Sequence, residues 1–93
     1  MPISNHLSAA NQTLGWDTDD YPPGLTQNDY ICVVFEDPTG KFLELYDNKQ
    51  LNALEFILAV PGNAVGNIYH YFTYREENGV VTKVSNSAKH VIS

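Results

Sequence analysis

The chain has 93 residues, of which 43% are hydrophobic and 12% aromatic, and its formal net charge is −6. These values are typical of one globular domain; they exclude a disordered chain and leave no room for a second hydrophobic core of ordinary size. The negative charge disfavours direct binding to nucleic acid or to an anionic membrane, because both surfaces are themselves negatively charged.

Cys32 is the only cysteine, so a disulfide within the chain is excluded. It lies among β-branched and aromatic residues in the run 30–35, a context typical of a small core side chain. The first six residues lack the basic-then-apolar pattern of a signal peptide, and no run approaches the roughly 20 apolar residues that span a bilayer. We therefore expect a reducing, cytoplasmic location and no membrane association.

Residues 1–27 are predicted to form a short helix followed by an ordered acidic loop. Ser4 is a suitable N-cap, apolar residues recur at helical spacing up to Leu14, and Gly15 follows as a stop. The segment 16–27 is dense in turn-forming residues, and its prolines cannot donate backbone hydrogen bonds. We expect this acidic loop to be pinned to the body of the domain by its aromatic residues.

Residues 28–93 are predicted to complete a single α+β domain with an antiparallel sheet of about four to five strands. The run 29–46 indicates a hairpin, because an apolar strand is followed by the turn sequence Asp37-Pro38-Thr39-Gly40. A second hairpin is predicted at 68–84, where Asn78-Gly79 favours a tight turn. The tail 88–92 adds a possible edge strand.

The segment 48–60 decides the fold class. Four of its apolar residues share one face of a helix, namely Leu51, Leu54, Ile57 and Leu58. Alternate residues are also apolar, as in a strand, namely Leu54, Phe56, Leu58 and Val60. We predict a helix over about 48–60 that packs on the sheet, and an all-β meander or barrel is the alternative.

The negative charge is concentrated in the first part of the chain. Residues 1–40 contain six acids and no lysine or arginine, whereas residues 41–93 contain five acids and five bases. Such a field would steer a basic partner toward the leading segment. We therefore predict a protein-binding module that engages a basic surface through residues 16–37, as an inhibitor, immunity, anti-defence or adaptor-type protein does. The predicted partner is a basic protein, and a nucleic-acid-binding protein is one candidate of that kind.

Aromatic side chains supply large, rigid contact area, so two tyrosines of the predicted strand 68–75 are added to the acidic candidates. The predicted partner-binding residues are Asp17, Asp19, Asp20, Tyr21, Asp29, Glu36, Asp37, Tyr69 and Tyr71. The same tyrosine-rich strand offers a further alternative, in which the chain is a self-associating structural subunit or homodimer.

No complete catalytic or metal-binding motif is present in the sequence. The three histidines, His6, His70 and His90, lie far apart and none has the spacing of a local zinc motif. Nothing places a base beside a serine or threonine nucleophile. We therefore predict no enzymatic activity, no catalytic residue, no metal site and no cofactor.

Residues 35–46, with the sequence Phe-Glu-Asp-Pro-Thr-Gly-Lys-Phe-Leu-Glu-Leu-Tyr, resemble a late strand pair of glyoxalase and bleomycin-resistance proteins in the vicinal oxygen chelate superfamily. The resemblance implies a βαβββ module that binds a divalent metal or a small molecule, with Glu44 as a metal ligand. The residues themselves leave two alternatives for Glu44. It is either buried beside a partner group or, as we favour, a solvated strand residue.

Overall fold

The computed structural model describes residues 3–19, 21–58, 65–85 and 87–93. In these residues one turn of 3-10 helix, Leu51–Ala53, accompanies eight strands: β1 (Ile3–Asn5), β2 (Thr13–Trp16), β3 (Tyr30–Glu36), β4 (Phe42–Gln50), β5 (Glu55–Ile57), β6 (Ile68–Glu77), β7 (Val80–Lys83) and β8 (Ala88–Val91). None of the described residues belongs to a helix with the length and apolar character needed to cross a membrane.

The strands form two antiparallel sheets. The smaller sheet has the order β1-β2-β5, and the larger sheet runs β4-β3-β6, with β7 and β8 both paired to the remaining side of β6. Because β7 pairs with residues 74–77 and β8 with residues 68–71, these two short strands follow one another along that edge. The predicted hairpins at 29–46 and 68–84 are confirmed, and so is the edge strand in the tail.

Both sheets contribute to one hydrophobic core. Alternation along β3 turns Ile31, Val33 and Phe35 to the inner face of the larger sheet, where each is fully buried. Leu14 and Trp16 of β2 belong to the same buried cluster. Cys32 points to the opposite face of β3 and is also buried, so its prediction as a small buried side chain is confirmed.

The predicted helix over 48–60 is wrong, and the α+β class is therefore wrong as well. Residues 48–50 end β4, a single 3-10 turn follows, and residues 55–57 form β5; residues 59 and 60 lie outside the described part. Asn48 has φ 65° and Leu54 has φ 63°. A right-handed helix cannot contain such left-handed backbone, and the all-β alternative is the one that fits.

The predicted short helix from Ser4 to Leu14 is also wrong, because this stretch forms β1, β2 and the connection between them. In the connection, the Asn11 side-chain amide donates to the carbonyl oxygens of His6 (2.7 Å) and Thr13 (2.9 Å). An asparagine that bonds to nearby carbonyls in this way competes with helical hydrogen bonds. Leu14 then pairs with Phe56 of β5, so a distant strand fixes the local structure.

The turn between β3 and β4 forms as predicted. Asp37 Oδ1 accepts hydrogen bonds from the backbone N–H groups of Thr39 (2.9 Å) and Lys41 (3.0 Å), and Gly40 takes φ 88°. The βαβββ module that the resemblance implies is not found in the described residues, which connect these strands without any α-helix.

Candidate functional site

The acidic loop between β2 and β3 is held at both ends by Leu51, which is fully buried. At the start of the loop, the Trp16 indole Nε1–H donates to the Leu51 carbonyl oxygen (2.7 Å). At its end, the Leu51 N–H donates to the Asp29 carbonyl oxygen (2.9 Å). The loop therefore starts and finishes beside the first residue of β3, at one end of the larger sheet.

A bidentate ion pair fixes the same end of the molecule. Arg75 Nε donates to Asp29 Oδ1 (2.8 Å), and Arg75 Nη2 donates to Asp29 Oδ2 (2.9 Å) and to the Gly24 carbonyl oxygen (2.6 Å). The Thr26 N–H donates to Asp29 Oδ2 as well (2.9 Å). Two parallel charge-assisted bonds hold the planar guanidinium in one orientation, so β6 and the loop are joined rigidly.

In this ion pair the charges of Asp29 and Arg75 neutralise each other. Burial raises the pKa of Asp29, but hydrogen bonds from Arg75 and Thr26 lower it by more, and the pKa lies below its ordinary value of 3.8. The carboxylate is ionised at neutral pH and only 2% of its side chain is exposed. Asp29 therefore supports the loop from inside and presents no charge to a partner.

Four exposed carboxylates belong to the two segments that the ion pair joins, and we call them the acidic end: Asp17, Asp19, Glu76 and Glu77. The first two lie in the loop, and the other two end β6, directly after Arg75. In the described part of the chain the salt bridges are Asp29–Arg75 and Glu36–His70, so none of the four has a cation at ion-pair distance. The acidic end therefore carries uncompensated negative charge.

A shallow cleft of about 390 Å³ opens between the loop and the end of β6. It is lined by Gly24, Thr26, Asn28, Asp29, Arg75, Glu76 and Glu77. The lining consists of two exposed glutamates, the Asp29–Arg75 pair, an amide, a hydroxyl and a glycine, with no large apolar side chain. Such a cleft suits the polar or cationic side chain of another protein better than an apolar small molecule, which needs a mostly hydrophobic pocket.

Three residues of the predicted partner site lie in or beside the loop. Asp17 and Asp19 are exposed, and Tyr21 is half-buried. The Tyr21 hydroxyl is buried with no hydrogen-bond partner among the described residues, and burial, followed by the charge of Asp29, raises its pKa. Asp20 lies outside the described residues.

The structure does not bring the remaining predicted residues to this end. Glu36 and Asp37 lie at the far end of β3, about 23–26 Å from Asp29 at the usual rise of a strand. Glu36 Oε1 is 2.9 Å from His70 Nε2, and Asp37 stabilises the turn. The segment 16–37 therefore does not present its acids as one patch.

Tyr69 and Tyr71 lie in the core. Tyr69 is fully buried, Tyr71 is 8% exposed, and both project from β6 toward the inner face of the larger sheet. Neither side chain can form a broad contact surface in this structure. The same alternation turns the neighbouring residues Phe72 and His70 outward.

Glu76 and Glu77 are the site residues that sequence reasoning missed. In the sequence they are balanced by nearby bases, Arg75 above all. The long-range pairing of Arg75 with Asp29, 46 positions away, engages that cation, so neither glutamate forms an ion pair with it, although the charge of Glu77 still acts on Arg75. No local pattern in the sequence predicts that Arg75 pairs with Asp29.

Glu44 is exposed on β4, as favoured from the sequence. It lies opposite Phe35 in the β3–β4 register. Within the residues that the structure describes, no group of three or more histidine, cysteine, aspartate or glutamate side chains is arranged to hold a metal ion. The geometry around Glu44 therefore gives no support to the metal-binding alternative.

Comparisons of the chain with protein-family models, with curated proteins and with solved structures found no match.

Proposed function

We propose that this chain is a small protein-binding module whose acidic end engages a basic surface of a partner protein. The observation that carries the proposal is the set of four exposed carboxylates of the acidic end, none of which has an ion-pair partner among the described residues, on the segments that the Asp29–Arg75 pair joins. A field of one sign, fixed on a rigid anchor, raises the association rate of an oppositely charged surface.

The anchor also supports the proposal through preorganisation. Leu51 holds both ends of the loop, and Arg75 holds its middle through the Gly24 carbonyl oxygen. A loop that is already ordered loses less conformational entropy when it binds. An inhibitor or adaptor that presents a fixed acidic surface to a basic partner would use this arrangement.

The proposed setting is the cytoplasm, where a thiol stays reduced. The single cysteine, Cys32, is free and buried, and burial raises the pKa of its thiol, which makes it unreactive.

The test compares two charge reversals that change the net charge equally at opposite ends of the molecule. Glu77→Lys lies in the acidic end, and Glu44→Lys is the control on β4, exposed and far from the loop. Proteins captured from host lysate by the unaltered chain are identified, and the affinity of the captured partner is then measured for each variant at low and high salt.

We expect Glu77→Lys to weaken binding about tenfold or more, and added salt to weaken the unaltered chain, because both reduce a charge-driven attraction. Glu44→Lys should change the affinity by less than about threefold, which is the residual effect of long-range charge. An affinity that is indifferent to salt and equal for the two variants contradicts the proposal.

A further inference from the structure

The outer face of the larger sheet, which points away from the core, is largely apolar; Cys32 and Tyr74 are buried in it, and its other central residues are half-buried. Its central residues come from β3 and β6 and are Tyr30, Cys32, Val34, Glu36, Ile68, His70, Phe72 and Tyr74. At its margins four large apolar side chains are exposed: Phe42 (60%), Leu45 (48%), Val81 (62%) and Val91 (51%). Exposed apolar side chains grouped around one face are typical of an interaction surface.

The dimensions of this face bear on how stable a dimer it could form. The sheet is four strands wide, since β7 and β8 share one edge, and β3 contributes seven residues. It therefore spans about 19 Å by 23 Å, a flat area of about 440 Å² that the projecting side chains enlarge. Stable complexes bury about 800 Å² per partner, so a face of this size suits a weak dimer that depends on protein concentration.

Charges of opposite sign lie on opposite margins of the face. Asp47 lies in β4 beside Cys32, and Lys83 in β7 extends its Nζ over the ring of Phe72, 5.9 Å from the centroid. Cys32 and Phe72 are directly paired across β3 and β6. Lys83 itself pairs with Tyr74, two residues further along β6, but its side chain extends back over Phe72, so its charge lies across the sheet from Asp47.

A second row has apolar residues at both ends. Glu36 pairs with Phe42 on one side and with Ile68 on the other, and Ile68 pairs with Val91. Phe42 and Val91 are therefore the two ends of this row, on the same margins as Asp47 and Lys83 respectively.

A two-fold axis parallel to the strands makes these rows complementary to themselves. When a second copy is rotated about such an axis and laid on the outer face, its β4 lies over β7 and β8 of the first copy. Asp47 then meets the Lys83 of the other copy, and Phe42 meets its Val91, each contact occurring twice as an isologous interface requires.

We propose that the outer face is the interface of a symmetric homodimer, in which the sheets of two copies pack face to face with Asp47 of each copy paired to Lys83 of the other. In each copy Glu36 Oε1 lies 2.9 Å from His70 Nε2, so these two side chains are hydrogen-bonded to each other at the centre of the face and need no polar partner from the other copy. Sheets packed face to face interdigitate their apolar side chains in this way.

The test is sedimentation equilibrium of the unaltered chain and of charge-reversed variants over a wide range of protein concentration. We expect a monomer–dimer equilibrium for the unaltered chain. Asp47→Lys or Lys83→Asp alone should raise the dimer dissociation constant about tenfold or more, because each brings like charges together twice. The double variant, with both reversals, should restore it to within about threefold of the original value.

Two further variants distinguish an effect on the outer face from the general effect of adding a charge to the surface. Leu45→Asp places a charge on the outer face and should abolish the dimer, whereas Ile57→Asp alters an equally apolar and exposed residue, on β5 of the smaller sheet, and should leave it intact. A chain that is monomeric at every concentration overturns the proposal, as does a dimer that ignores the single reversals or is not restored by the double one. Glu76 of the acidic end borders this face, opposite Val81, but none of these variants changes a residue of the acidic end. The binding of a basic partner is therefore tested separately, by Glu77→Lys.

Discussion

His6 and His90, from opposite ends of the sequence, stack with ring centroids 4.1 Å apart and an angle of 18° between their planes. His6 Nδ1 lies 2.6 Å from the Tyr69 hydroxyl, which also accepts the Leu7 N–H at 3.2 Å. Burial raises the pKa of Tyr69 to about 12, so the hydroxyl keeps its proton at neutral pH and can donate a hydrogen bond to His6 Nδ1. With the hydroxyl as donor, the contact uses a neutral His6 ring whose Nδ1 carries no proton.

This arrangement predicts a loss of stability in mild acid. Burial, and then the neighbouring His90, lower the pKa of His6 below its ordinary value of 6.5. The unfolded chain therefore binds a proton at a higher pH than the folded chain does. The stabilising contribution is complete above pH 6.5 and is lost as the pH falls through the lower, folded-state pKa. Urea unfolding at a series of pH values measures this loss as a decreasing free energy of unfolding.

The variant His6→Asn keeps an acceptor for the Tyr69 hydroxyl but cannot be protonated in this range. Its free energy of unfolding should fall less steeply between about pH 7 and pH 5 than that of the unaltered chain. Identical pH profiles for the two proteins would show that the stacked histidines do not contribute to the acid sensitivity.

At the scale of elements, the segment 51–58 shows how backbone conformation overrides helix propensity. Leu54 closes the 3-10 turn with φ 63°, and its carbonyl oxygen accepts the Trp16 N–H at 3.2 Å. The strand that follows pairs with β2 and alternates exposed Glu55 and Ile57 with half-buried Phe56. The apolar alternation that the sequence offered as a second interpretation is the one that the smaller sheet uses.

Leu54 is nearly half exposed, so its left-handed backbone is not offset by deep packing. We expect Leu54→Gly to be more stable than Leu54→Ala by about 1 kcal/mol, since only glycine takes this backbone conformation without steric cost. Both substitutions remove the same side chain contacts, so the comparison isolates the backbone. Thermal or urea unfolding measures the difference, and equal stabilities would show that position 54 is unstrained.

At the scale of the whole molecule, the two sheets are joined by contacts that cross between them. The rings of Tyr46 in β4 and Phe56 in β5 meet edge to face at 6.2 Å, and Trp16 of β2 bonds to Leu51 beside the larger sheet. Leu14, which is fully buried, belongs to the shared core. We therefore expect the sheets to unfold as one cooperative unit.

The substitution Leu14→Ala tests this cooperativity from the smaller sheet. It should lower the free energy of unfolding by about 2–4 kcal/mol, because it leaves a cavity in the hydrophobic core that both sheets share. Trp16 fluorescence reports on the smaller sheet, and chemical labelling of the Cys32 thiol in denaturant reports on the larger one. Both signals should shift to the same lower midpoint, and a shift in Trp16 fluorescence alone would show that the sheets unfold separately.

The sequence by itself determined both hairpins, the edge strand and the burial of Cys32, because alternation of apolar residues and turn chemistry act between near neighbours in the chain. It also located Asp17 and Asp19 in an exposed acidic loop. Its failures are the two predicted helices and the distribution of charge. Strand pairing with β2 decided the conformation of 55–57, and the pairing of Arg75 with Asp29 decided which carboxylates stay uncompensated. Only the tertiary structure could decide these features, because each depends on groups that are distant in the chain and meet only when both sheets have formed.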